Sequence, residues 1–209
     1  MSLVLGIDES GTGAWAGPFY VAGVLVENEA EFAEACGGLL NDSKKLSDEK
    51  RRALVPEIEK HAKQIFRFVA TVESLRSKGR KATSRVGIED ILRSFRKNYP
   101  SIMVNPDIII DGPRDRKVVV PHGLSSVTWE PKADAKYPSV MAASIIAKTC
   151  RNDDMLVLAK DFPGYEWETN AGYGAPKHRD GIAKLGLTPH HRPISGLDSQ
   201  NVLDLFKGE

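Results

Sequence analysis

Cysteine is almost missing from this chain. Cys36 and Cys150 are the only two in 209 residues, and they offer neither a disulfide framework nor the spacing of a thiolate metal site. No apolar run approaches the roughly 18 residues of a spanning helix. The N-terminus, MSLVLGIDES, has no basic segment ahead of its apolar one, which excludes a secretory signal. These absences lead us to expect a cytoplasmic protein that does not engage a membrane. Basic residues are absent from positions 1–41, where six acids stand (Asp8, Glu9, Glu27, Glu29, Glu31, Glu34). Residues 42–100 reverse this with 16 basic against 8 acidic side chains. An acidic beginning beside a basic middle suits a metal site next to a polyanion groove, and equally a pair of solvated surfaces of unlike charge.

The apolar pattern predicts an α/β chain with a mixed sheet. Leu3–Ile7 and Phe19–Val26 read as a strand and its hairpin partner. Glu29–Leu40 has helical character, and Ser47 caps a second helix whose interior is flawed by Pro56. Gln64–Val72 reads as a strand and Arg80–Tyr99 as a helix. Asp107–Asp111 is a buried strand, followed by short strands at 118–120 and 126–129. Tyr137–Lys160 is the longest helix, rich enough in Ala and Ile to lie under a sheet. A Gly- and aromatic-rich loop, Phe162–Gly174, precedes helices at Pro176–Leu185 and Asn201–Phe206. We expect one domain over 1–209, with a core over about 1–160 and C-terminal loops and helices over about 161–209.

The sharpest chemical signal is acids where buried strands stop. Asp8 and Glu9 end the first strand, and Asp111 ends DIIID. Carboxylates converging at a sheet edge repel unless a divalent cation neutralises them. Oxygen ligands without a His/Cys cluster favour Mg²⁺ or Mn²⁺ over Zn²⁺. Two such ions, roughly 3.5–4 Å apart, clamp the attacking and leaving oxygens of a phosphodiester. The alternative is that these acids cap turns or pair with Lys and Arg. GTGAWAGP is neither GxxxxGK[ST] nor GxGxxG; its glycines suit either a tight turn or a close approach to a sugar–phosphate. Lys44 and Lys45 are candidate phosphate ligands, and Tyr173, between two glycines, is a candidate stacking residue.

Six segments together resemble the type 2 ribonucleases H: GIDESGTGAWAGP at 6–18, NDSKKLS at 41–47, IIIDGP at 108–113, KADAKYPSVMAASIIAKTCR at 132–151, FPGYEWETNAGYGAPKH at 162–178 and GLTPHHR at 186–192. The resemblance implies a ribonuclease H-like mixed central sheet flanked by helices, with a C-terminal helical extension. It implies that Asp8, Glu9, Asp111 and Asp134 are the catalytic, metal-binding acids. Asp134 rests on the family pattern alone; the residues themselves do not separate it from Asp153 or Asp154. Implied too are Mg²⁺ or Mn²⁺, hydrolysis of the RNA strand of RNA/DNA hybrids to 3′-hydroxyl and 5′-phosphate ends, and substrate contacts from Gly11, Thr12, Gly13, Lys44, Lys45 and Tyr173. A nuclease of the same fold with another substrate, and a non-catalytic hybrid-binding protein, are the rival readings.

Gly11-Thr12-Gly13 stands where the HII type usually has Gly-Arg-Gly, and so resembles the HIII type. We therefore expect continuous hybrids to be cut faster than a lone ribonucleotide in DNA. Residues 200–206, with Leu203-Asp204-Leu205-Phe206, resemble a sliding-clamp motif; the same apolar residues would equally serve as a closing helix. We expect a monomer.

Overall fold

The structure is a computed structural model that describes residues 3–41, 43–101 and 103–193. Its elements, in order, are β1 (Val4–Ser10), β2 (Phe19–Val26), α1 (Glu29–Ala35), α2 (Asp48–His61), β3 (Gln64–Ala70), α3 (Val72–Lys78), α4 (Arg80–Asn98), β4 (Asp107–Asp111), β5 (Val127–Glu130), α5 (Pro138–Asp161), α6 (Trp167–Asn170) and α7 (Pro176–Leu185). The chain divides into two compact units. The first comprises 1–10, 20–69 and 84–149; the second comprises 11–19, 70–83 and 150–209.

The first unit is built on a five-stranded sheet of order β3-β2-β1-β4-β5. β1 runs antiparallel to β2 and parallel to β4, and β4 is parallel to β5. This is the mixed α/β sheet expected. All eight residues of β2 are buried, as befits an inner strand covered on both faces. β1 and α5 come unusually close: a Cβ added to Gly6 would stand 2.4 Å from the Ser139 carbonyl carbon and the Val140 nitrogen. Ala142, Ala143, Ile145, Ile146 and Ala147 bury the helix face that follows. Glu29 caps the start of α5, accepting from the Ser139 amide at 2.8 Å and its hydroxyl at 2.6 Å.

The second unit has its own core, in which Ala16, Met155, Tyr165, Trp167 and Ile182 are buried together. Ala16 forms an antiparallel bridge with His191, so a residue from each end of the chain shares this core.

Several expected boundaries shift, for local reasons. α1 stops at Ala35, because Gly37 and Gly38 take left-handed φ of 71° and 63° and turn the chain out of the helix. α2 runs through Pro56; one lost amide bond is tolerated where Leu54 and Ile58 are buried on the inner face. Val72 leaves the strand and opens α3, since the Thr71 hydroxyl accepts from the Ser74 amide at 3.2 Å. Residues 118–120 form no strand: Val118 closes a turn onto Asp115, and Val119 is exposed and donates its amide to Glu89. A short helix, α6, interrupts the loop at 162–174. The helix expected at 201–206 lies outside the described residues. No helix among the described residues is long and apolar enough to cross a membrane.

Candidate active site

The sheet register brings two acids side by side. β1 and β4 pair in parallel up to Ile7 opposite Ile110, so the next residue on each strand is Asp8 and Asp111. Asp111 in turn builds the position of Asp134. Its Oδ1 accepts from the Ala133 amide at 2.7 Å, capping the 3₁₀ turn Ala133–Ala135 that carries Asp134. Lys132, at φ 65°, turns the chain into that segment.

Asp8 and Asp134 are almost fully buried, with 5% and 2% exposure. Burial, then the charges of Asp111 and Asp134, push the Asp8 carboxyl up to about 8, against a bond from Ser144 that pulls it down. Asp111 is also raised, by burial first and then by Asp134. These three acids feel one another strongly, and the Lys44 ammonium meets Asp134 Oδ2 at 2.9 Å. Lys44 is carried on a turn held from beneath: the buried Arg51 guanidinium donates to the Ser43 carbonyl at 2.9 Å and the Leu46 carbonyl at 2.5 Å. The Ser43 hydroxyl meets Ser144 at 2.8 Å, linking that turn to the residue that contacts Asp8.

Glu9 is placed differently. Successive strand side chains point to opposite faces, and the Glu9 carboxylate accepts from Ser84 of α4 at 2.5 Å, while Asp8 is held by Ser144 of α5. Among the described residues, no group of three or more His, Cys, Asp or Glu side chains is placed to hold a metal ion by itself. The donor set nevertheless fits a hard divalent cation. It is all oxygen, burial and then the neighbouring acids raise the Asp8 carboxyl, and among the described ion pairs a lysine meets it at Asp134. A divalent cation relieves that crowding better than a monovalent ammonium. Lys45 is exposed.

The other expected site residues lie in the second unit. Gly11 takes φ 90°, and a Cβ there would stand 2.3 Å from Arg151 Nε. It is buried, with its carbonyl accepting from Arg192 at 2.5 Å, so it holds the loop's shape; Gly13 is exposed and Thr12 half-buried. Tyr173 is 42% exposed, with the Arg151 guanidinium 5.0 Å from its ring centre.

Four residues with clear structural work were missed from sequence. Arg151 and Arg192 are buried and donate to the carbonyls of Gly11, Ala16, Gly17, Pro18 and Ala171. His178 and His191 are buried and joined Nε2 to Nε2 at 3.1 Å. Tyr173 O can only accept, so His178 Nδ1, at 2.8 Å, carries the proton. Its Nε2 then accepts from Trp167 Nε1–H at 2.9 Å and from His191 Nε2–H. His191 Nδ1 accepts from the Thr188 amide at 2.9 Å. The signal was an arginine inside an Ala- and Ile-rich helix and a His-His-Arg run after a glycine turn, but neither carries a period or a partner that sequence reveals.

The Ribonuclease HII family model matches residues 5–196. A Ribonuclease HII of Porphyromonas gingivalis is 39% identical over 193 residues, spanning 90% of this chain and 86% of the relative. One from Bacteroides fragilis strain YCH46 is 36% identical over 204 residues, spanning 96% and 92%. Among solved structures, a chain of the PCNA:RNase HII complex from Archaeoglobus fulgidus matches with a TM-score of 0.70 and 29% identity, over 90% of this chain and 91% of that one. A Bst-RNase HIII solved with Mn²⁺ shares the fold, with a TM-score of 0.72 and 21% identity over 100% of this chain and 71% of that one. The paired strand-end acids, the turn that Asp111 caps and a match over nearly the whole described chain lead to one assignment: this chain belongs to the ribonuclease HII family.

Proposed function

We propose that the chain is an endoribonuclease that hydrolyses the RNA strand of RNA/DNA hybrids, leaving 3′-hydroxyl and 5′-phosphate ends. The observation that carries this reading is the placing of Asp8 and Asp111 at adjacent strand ends, with Asp134 on the turn that Asp111 caps, in a member of this family. Asp8, Glu9, Asp111 and Asp134 would hold Mg²⁺ or Mn²⁺. The ions, when bound, supply Lewis acidity at the scissile phosphate. The protein's own part is positional. Asp111 fixes the turn bearing Asp134, Ser144 orients Asp8, and Lys44 is available to a phosphate once Asp134 has another counter-charge. Thr12, Gly13 and Tyr173 would read the sugar, and the ribose 2′-hydroxyl separates RNA from DNA. Lys45 would meet the backbone and Gly11 would support the loop.

Cleavage-site mapping tests the reading, with a continuous hybrid, an all-DNA duplex and a DNA duplex carrying one ribonucleotide, each with and without Mg²⁺ or Mn²⁺. Mg²⁺-dependent cuts within the RNA of the hybrid alone or in preference support it; cleavage of the all-DNA duplex, or no cleavage at all, defeats it. We further propose that residues 200–206, outside the described residues, reach a sliding clamp. The Archaeoglobus fulgidus complex with PCNA supports this. Loss of clamp binding on removing 199–209, with the melting temperature unchanged, is the expected result.

A further inference from the structure

A cavity of about 490 Å³ in the second unit is lined by Thr12–Trp15, by Leu75, Arg76, Gly79 and Arg80 at the corner between α3 and α4, and by Arg192 and Pro193. Three of its lining residues are arginines, and none of the described ones is an acid. This is the centre of a basic stretch: Arg76, Lys78, Arg80, Lys81 and Arg85 fall between Glu73 and Glu89 with no acid among them.

The arginines are anchored without being neutralised. Arg76 donates to the His191 carbonyl at 2.7 Å, and Arg80 makes one long contact to the Thr12 carbonyl at 3.4 Å. Arg192 is 8% exposed and donates to the carbonyls of Gly17, Gly11 and Pro18. Every one of these acceptors is a neutral carbonyl. Each guanidinium carries five donors in a planar fork, so Arg76 and Arg80, both exposed, keep most of theirs. Among the described residues the buried Arg192 charge has no carboxylate bonded to it, and burial with the nearby Arg151 and Arg80 pushes its guanidinium down to about 10. A buried cation with neutral described partners, lining one cavity with two exposed forks and no described acid, is electrostatically incomplete, and a phosphate would complete it.

We propose that this cavity binds a backbone phosphate of the nucleic-acid duplex, with Arg76 and Arg80 as direct ligands and Arg192 as the fixed charge beneath them. The proposal rests on the nuclease reading above and names a second point of grip, apart from the acids. The Gly-Thr-Gly loop forms one wall of the cavity, so a phosphate seated there would fix the register of the strand against that loop.

The test uses the full chain, with Arg76→Gln, Arg80→Gln and the double variant, and with Arg→Lys at both positions as the charge-keeping control. Hybrid hydrolysis is measured in Mg²⁺ across a KCl series, and melting is measured with and without inorganic phosphate. In the double variant we expect KM to rise about tenfold and by more than kcat falls. The slope of log affinity against log salt should lose about 0.9 for each phosphate contact removed, and the lysine variant should recover most of the slope. A double variant with the KM and salt slope of the parent overturns the proposal. So does stabilisation of the parent but not the double variant by inorganic phosphate with no change in hybrid affinity, which would make this a site for free phosphate. If the unmodified protein cleaves no hybrid, the nuclease reading has failed. Electrophoretic binding of uncleaved duplex across the same salt series then still decides whether the arginine cavity grips a backbone.

Discussion

Acidification should remove the stability that neutral His191 provides, in a window that can be calculated. His191 is 1% exposed, and burial, followed by His178 beside it, pulls its imidazole from 6.5 down to about 4. Its Nδ1 already accepts from the Thr188 amide, with the Thr188 hydroxyl 3.0 Å away, so a proton placed there replaces the attraction to that amide with a repulsion. Arg76, His190 and His178 face it, and none offers a counter-charge. Between about 6.5 and 4 the unfolded chain binds a proton at this position that the native state refuses. The stabilisation is therefore complete above 6.5 and drains away as pH falls. At pH 4.5 the loss is about 2–3 kcal/mol, at 1.36 kcal/mol per pKa unit. For a chain of this length that is a fall in melting temperature of roughly 5–10 °C. The burial that raises Asp8 and Asp111 acts with the opposite sign over part of this range, so the measurement must be a difference. Urea unfolding of the parent and of His191→Asn, whose Oδ1 can still accept from Thr188, should be compared at pH 7 and pH 4.5. The variant costs stability at pH 7 but should lose about 2–3 kcal/mol less than the parent on acidification. Equal losses in both proteins would refute the protonation argument.

Other expectations follow from the site and its supports. Asp111→Asn should lower kcat by several orders of magnitude with hybrid binding retained, read by single-turnover kinetics beside a binding isotherm; near-parental turnover in Mg²⁺ would remove Asp111 from the metal site. Gly6→Ala forces a methyl to within 2.4 Å of the α5 backbone and should cost about 1–3 kcal/mol of stability, measured by denaturant unfolding; a neutral result would mean that β1 and α5 separate easily. Thr12→Arg should raise incision at a lone ribonucleotide relative to continuous hybrid, since it adds a guanidinium fork to the loop; an unchanged ratio would show that the loop does not set the preference.

The parts of the fold legible in sequence were those with strong local signals. Phe19–Val26, Asp107–Asp111 and Pro176–Leu185 were read with their true ends, because an apolar run or a Pro–Gly pair brackets each one. α3 was hidden because Val72 continues the apolar alternation of β3, while its helix depends on one hydroxyl cap. The valines at 118–120 had the right side chains for a strand, but the Val118 amide closes a turn onto Asp115 and the Val119 amide goes to Glu89. For the site, Asp8 and Asp111 were visible as strand ends, but their adjacency is a product of sheet register, a long-range property. Asp134 could not be chosen from residues alone, since its place depends on the Ala133 amide donating to Asp111, 22 residues before Ala133. The facing of Glu9 toward Ser84, 75 residues on, belongs to the same class.

The bond from Arg192 to Gly11 joins residues 181 positions apart, and this has a consequence for how the protein is made. Gly11 leaves the ribosome 181 residues before Arg192. At about 5–20 residues per second, the interval is roughly 10–40 s. Throughout it the glycine loop lacks the guanidinium that ties together the carbonyls of Gly11, Gly17 and Pro18. Sheet contacts such as those between β1 and β2 need only local chain and can form first. A polypeptide cut short before residue 192 would thus carry Asp8, Asp111 and Asp134 but an unlocked loop. On the reading that this loop meets the substrate, such a chain should bind nucleic acid less well than the full one.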